Sequence, residues 1–192
     1  MVPFYLAGLA ILTSLGLAGI FARIHWSPPL IVDTSSAMLI YGIYFGIFKK
    51  FCWKWKWLRS IDVVSTPILE GTWTGTVQTS FPLEAPTQDV NVTIGQDWTH
   101  ILIRLHGPTS GSRSLSGSMT VTTGECTVTY EYLNEPNVDA VETMQIHYGT
   151  ASLMLTGEDK LEGHYYSGRG RQNVGSLKLR RIAPANSHSP GH

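Results

Sequence analysis

The segment His164–Arg181, HYYSGRGRQNVGSLKLRR, gathers two tyrosines, five Lys/Arg and three glycines into a stretch that reads as strand, turn, strand. The turn, Ser167 to Gly175, is too glycine-rich to be rigid by itself. Glycines let backbone N–H groups come close to a phosphate, and guanidinium forks match phosphate oxygens in bidentate geometry. Tyrosine faces offer a base a stacking surface, worth about 1–3 kcal/mol where truncation has measured it. On this chemistry Arg169 and Arg171 hold phosphate, Tyr165 stacks, and Asn173 meets a base edge or a ribose. Such a kit suits a cyclic nucleotide. The competing reading is a solvated hairpin tip whose arginines pair with surface carboxylates.

The elements that must position these residues are strands. Leu161, Gly163 and Tyr165 share one face of the penultimate strand, and Glu162, His164 and Tyr166 the other. Upstream, runs of strand composition recur at 71–80, 88–96, 100–107, 114–123 and 126–133. Residues 143–157 read as one long strand or two short ones, and 161–168 and 174–181 complete the set. Turn residues such as Pro82, Gly107-Pro108, Gly124, Asn134-Glu135-Pro136 and Gly157-Glu158-Asp159 separate them. About eight sequential strands predict an antiparallel meander, which closure relieves of exposed edges. The opening Gly71-Thr72-Trp73 resembles the first strand of lipocalins and fatty-acid-binding proteins. That resemblance implies that Trp73 plugs the barrel floor and that a late-strand arginine, here Arg181, packs over it as a cation–π pair. Without the resemblance, Trp73 is simply a core aromatic.

Two apolar runs precede the barrel. Residues 1–21 contain twenty consecutive uncharged residues, enough to cross a bilayer core of about 30 Å. They lack the basic n-region and A-x-A site of a cleaved signal. Residues 30–48 form the second span, with Asp33 near its first turn as an interfacial or capping carboxylate. Pro28-Pro29 break the helix between them, leaving 22–29 as a short extracytoplasmic loop. The fold class expected is therefore a membrane protein with two N-terminal transmembrane α-helices and an eight-stranded, lipocalin-like barrel at 68–182. Gly42-x-x-x-Gly46 and Ser14-x-x-x-Ala18 permit close helix approach, though in glycine-rich spans the motif is weak. Residues 183–192 read as a disordered tail.

Charge orients the chain. Residues 1–60 hold six Lys/Arg against Asp33 alone, a formal +5, and residues 61–192 hold eight Lys/Arg against thirteen Asp/Glu, a formal −5. Five of the positive charges lie in KKFCWKWKWLR, which opens a basic-aromatic collar and linker at 49–67. Alternating Trp and Lys suits the lipid headgroup layer, and the positive-inside rule puts the N-terminus and the barrel in the cytoplasm. A barrel of net −5 does not suit DNA or RNA, which want a basic face. Cys52 and Cys126 have neither metal spacing nor a disulfide framework. No H-E-x-x-H, G-x-S-x-G or carboxylate pair points to catalysis, metal or cofactor.

The order G-x-Y-x-x-x-R-G-R-x-N-x-G-x-L-x-L-x-R is filled by Gly163, Tyr165, Arg169, Gly170, Arg171, Asn173, Gly175, Leu177, Leu179 and Arg181. With two spans, collar and barrel, it resembles a family of CBASS antiphage effectors, the SMODS-associated two-transmembrane, β-strand-rich proteins of bacteria. The resemblance implies a cytoplasmic barrel on the inner membrane that binds a cyclic dinucleotide, 3′,3′-linked, made by a partner nucleotidyltransferase (CD-NTase). It further implies a homo-oligomer on activation, membrane disruption, and death or arrest of the infected cell. Tyr165, Arg169, Arg171 and Asn173 are the matched positions for ligand contact. Arg104, Tyr130 and Tyr132 have suitable chemistry on earlier strands but no match to the motif. The alternative function is a membrane-tethered lipocalin-like carrier of lipid, which needs an apolar cavity. The threonines and serines at 72, 74, 76, 116 and 118 argue for polar surface on at least one side of the strands.

Overall fold

A computed structural model describes residues 2–23, 30–80, 87–137, 145–168 and 173–182, with backbone alone at residue 22 and residues 30–36. The chain divides into two compact units.

The first unit comprises residues 1–66 together with Asp97–Thr99. Helices α1 (Val2–Arg23) and α2 (Leu30–Lys50) pack against each other. Thr13 and Tyr44 share a hydroxyl hydrogen bond of 3.2 Å across the pair, and Ala10 is buried. Helix α1 is long and apolar enough, over Val2–Phe21, to cross a membrane. A Cβ at Gly8, Gly16, Gly19, Gly42 or Gly46 would meet nothing within 4 Å, so these glycines do not serve the α1–α2 contact.

The collar is not one continuous aromatic belt. A 3₁₀ turn at Cys52–Lys54 rotates Trp53 inward to full burial, and α3 (Lys56–Ser60) follows. Trp98 meets Phe48 edge-on at 5.2 Å and Trp53 at 6.2 Å, while its backbone N–H donates to the Lys49 carbonyl. Lys49 pairs with Asp97 at 3.3 Å. Phe51, Trp55 and Trp57 stay exposed. Short helical turns therefore sort the tryptophans into one core residue and two surface residues, which the Trp/Lys alternation alone does not distinguish.

The second unit is a closed antiparallel barrel whose eight strands pair in sequence order, with β1 returning to β8. They are β1 (Gly71–Thr79), β2 (Gln88–Gln96), β3 (Ile101–His106), β4 (Ser110–Thr122), β5 (Glu125–Pro136), β6 (His147–Thr156), β7 (Lys160–Ser167) and β8 (Val174–Arg181). Among the described residues of the segment that read as one strand or two there is the single strand β6, and residues 143 and 144 lie outside them. Period-2 alternation sends one set of side chains inward along each strand. Val90, Val92 and Ile94 of β2, Val128 and Tyr130 of β5, Leu161 of β7 and Leu177 and Leu179 of β8 are buried together with Trp73, Ile103 and Leu153. Thr72, Thr74, Ser116 and Ser118 take exposed positions.

Two inward glycines permit the curvature. A Cβ at Gly75 would overlap the carbonyl of Lys178, and one at Gly163 would overlap that of Ser152. Only glycine lets neighbouring backbones come so near. At one end the barrel is floored. Trp73 is fully buried and donates from Nε1 to the Leu69 carbonyl at 2.9 Å. The Arg181 guanidinium lies 4.7 Å from the Trp73 ring centroid and donates to the Ile68 carbonyl. Buried Gln96 binds the same segment twice, accepting from Leu69 N at 2.6 Å and donating to Pro67 O at 3.0 Å.

Candidate functional site

The β7–β8 hairpin leaves the barrel at the end opposite this floor. Its neck is closed by Ser167 and Asn173. Ser167 N–H donates to the Asn173 carbonyl at 2.9 Å, and the Ser167 hydroxyl both donates to that carbonyl at 3.2 Å and accepts from Asn173 N–H at 3.0 Å. The neighbouring strands hold the neck from both sides. Gly168 N–H donates to Tyr148 O on β6 at 2.6 Å, and Val174 exchanges bonds with Ser80 after β1. Arg169 and Arg171 lie outside the described residues, yet each is within two residues of a fixed neck position.

Below the neck stand inward tyrosines. The Tyr165 ring covers Gly175, its cross-strand partner on β8, where a Cβ would overlap the ring. Tyr132 covers Gly149 of β6 in the same way, and its hydroxyl donates to the Tyr166 carbonyl at 3.4 Å. Tyr130 lies deeper, its ring 6.2 Å from that of Tyr132. Burial pushes the phenols of Tyr130 and Tyr132 well above the usual tyrosine range, with Tyr165 and then Tyr130 adding to the shift of Tyr132. Both phenols thus stay neutral hydroxyls, able to donate a hydrogen bond. Buried Asn134 and Ser167 add polar groups towards the same end of the barrel.

The structure gathers Tyr165, Tyr132 and Asn173 at the hairpin end. Tyr130 is a core residue. Arg104 points outward from β3, where its cross-strand partners are Thr93 and Arg113, so it does not join the inward tyrosines. Trp73 and Arg181 belong to the floor.

The motif residues now have separate physical roles. Gly163, Tyr165, Gly175, Leu177, Leu179 and Arg181 are the inward set of two paired strands, carrying the curvature, a ring and its seat, core, core and floor. Ser167 was not singled out by sequence reasoning, because a serine is unremarkable until register sets it across the neck from Asn173. An outer groove of about 390 Å³ was missed as well. Leu115, Glu131, Tyr148, Tyr166 and Gly168 line its outer side, and Tyr132 and Ser167 of the hairpin end line it as well. Alternation puts the Glu131, Tyr148 and Tyr166 side chains outward, but only the β5–β6–β7 register brings them together.

Comparison with known proteins bears on residues 64–181, which match the model of the Cap15 cyclic dinucleotide receptor domain. The chain is also 31% identical over 149 residues to CD-NTase-associated protein 15 of Yersinia aleksiciae, an alignment covering 75% of this chain and 70% of that one.

Proposed function

The chain belongs to the Cap15 family of cyclic dinucleotide receptors, and from that premise we propose that the hairpin end of the barrel is the site where the dinucleotide is read. The chain is a CBASS effector of the Cap15 type and a receptor, not a member of an enzyme family. The observation that carries the site assignment is the neck. Ser167 and Asn173 hold the two ends of the glycine–arginine turn beside the Tyr165 and Tyr132 rings. Arg169 and Arg171 supply bidentate donors to the two phosphates, Tyr165 stacks on a base, and Asn173 meets a base or sugar edge. The ligand is 3′,3′-linked and comes from a CD-NTase.

With ligand held at the neck, copies of the barrel associate, and the clustered helices disrupt the inner membrane, killing or arresting the cell. Both α1 and α2 cross the bilayer in this reading. The basic collar, with Trp55 and Trp57 exposed, sits against anionic lipid on the cytoplasmic side. A lipid-carrier function is disfavoured because core side chains from Trp73 up to Tyr130 fill space that an acyl chain would need.

The test is calorimetric titration of the full chain in detergent with 3′,3′-linked cyclic di-AMP, cyclic di-GMP, cyclic di-UMP and mixed-base dinucleotides, alongside palmitate. Saturable heat from a dinucleotide, lost in Arg169→Ala/Arg171→Ala, supports the reading. Heat from palmitate alone replaces it with the carrier.

A further inference from the structure

Arg104 of β3 and Arg113 of β4 are direct cross-strand partners, and both are exposed on the outer wall. Like charges opposite one another in an antiparallel pair repel. Glu135 stands 3.9 Å from Arg113 with both side chains about half exposed. A contact that loose at high dielectric does not neutralise two guanidinium groups.

Next to this pair, on the same wall, lies the outer groove. Tyr148 is 64% exposed, Tyr166 56% and Leu115 49%, and all three line this one groove. The groove also contains the Glu131 carboxylate, which accepts a 3.2 Å bond from Ser116 and faces solvent. Aromatic faces around a carboxylate make a receptor for guanidinium, by cation–π contact and charge-assisted hydrogen bonding.

We infer that the groove of one copy receives Arg104 and Arg113 of a second copy of this chain. The two surfaces are neighbours, since Arg113 pairs with Leu133 while Ser116 pairs with Glu131 further along the same strands. A two-fold axis between them sets each arginine pair into the other copy's groove, so one geometry satisfies both halves. A closed barrel has no strand edge to extend, so a second copy must meet a wall. Gly168 links this contact to sensing. It lines the groove, bonds Tyr148, and directly follows the last residue of β7, one position before Arg169. The groove also shares Tyr132 and Ser167 with the candidate site, so a ligand held there stands against one of its walls. This link rests on the site assignment above; the charge match does not.

Light scattering on the full chain in detergent, over a concentration series with and without the same dinucleotides, tests the contact. Arg104→Glu/Arg113→Glu, and separately Glu131→Arg, should each raise the concentration for half-assembly by about tenfold or more. Combining all three reverses both surfaces and should restore assembly. Equal assembly by the wild type and both reversals, or no rescue in the combined variant, would overturn the contact. Association through the helices is common to all variants and does not mimic this pattern. If the wild type binds no dinucleotide, the sensing assignment fails, and the ligand-free series still judges the contact.

Discussion

The guanidinium of Arg181 lies 4.7 Å over the ring of Trp73, joining the last strand to the first at the barrel floor. The same guanidinium donates to the Ile68 carbonyl, so it ties together β8, β1 and the segment leading into β1. Arg181→Ala removes a cation–π contact and leaves a carbonyl without its donor, and should cost about 1–3 kcal/mol. Arg181→Lys should recover part of this. Denaturant midpoints of the full chain in detergent give the order wild type, Lys, Ala; equal midpoints for all three would show that the floor does not depend on this pair.

Gly163→Ala places a methyl on the Ser152 carbonyl and against the Leu153 Cα, backbone atoms that cannot swing aside. It should destabilise the barrel by about 3 kcal/mol or more, or abolish its folding. Gly42→Ala in α2 meets no neighbour and should stay within about 0.5 kcal/mol of wild type. Thermal melts of both variants separate a glycine required by strand contact from one that is not.

Tyr130 and Tyr132 carry folded-state pKa values above the unfolded tyrosine value because burial disfavours phenolate. Folding then holds protons that the unfolded chain releases. Their contribution is fully present below about pH 10 and is lost as pH rises beyond it. Unfolding free energy measured from pH 8 to 12 should fall on the alkaline side, and Tyr132→Phe should reduce that fall. A stability unchanged across this range would contradict the burial.

Arg169→Lys/Arg171→Lys keeps both charges but loses the planar fork. If the turn holds phosphates in bidentate fashion, dinucleotide affinity should drop by about tenfold in the lysine pair and further in the alanine pair. Tyr165→Phe should bind nearly as wild type, because its face remains, whereas Tyr165→Ala should lose about 1–3 kcal/mol. Titration calorimetry in parallel with melts separates lost binding from lost fold. An alanine pair that binds as tightly as wild type would move the site elsewhere.

Much of the barrel was legible because its signals are local. Alternation told the inward face of β7 from the outward one, and glycine-rich turns marked where strands end. The candidate site was legible only where its chemistry is written in one segment, around Tyr165 and Asn173. Arg104 shows the limit. Its charge suits a phosphate, but strand register alone decides that it stands beside Arg113 rather than beside Tyr132. The Ser167–Asn173 clasp and the outer groove have the same origin, since each depends on which residues face one another across strands. The burial of Trp53 was hidden for another reason, because one 3₁₀ turn takes that residue inward without altering the Trp/Lys alternation.

Strand order also carries a consequence for biosynthesis. Every barrel pairing except one joins consecutive strands; the exception is β1 with β8, whose partners Trp73 and Arg181 are more than a hundred residues apart. Local hairpins form early, and the most distant contact must wait. On a ribosome, α1 and α2 emerge long before Arg181 is made. The helices are committed to their environment while the barrel is still an open sheet with two bare edges, which is the state most prone to aggregate. A nascent chain stalled before Val174 should therefore be protease-sensitive beyond residue 66, and release of β8 should confer resistance in a single step.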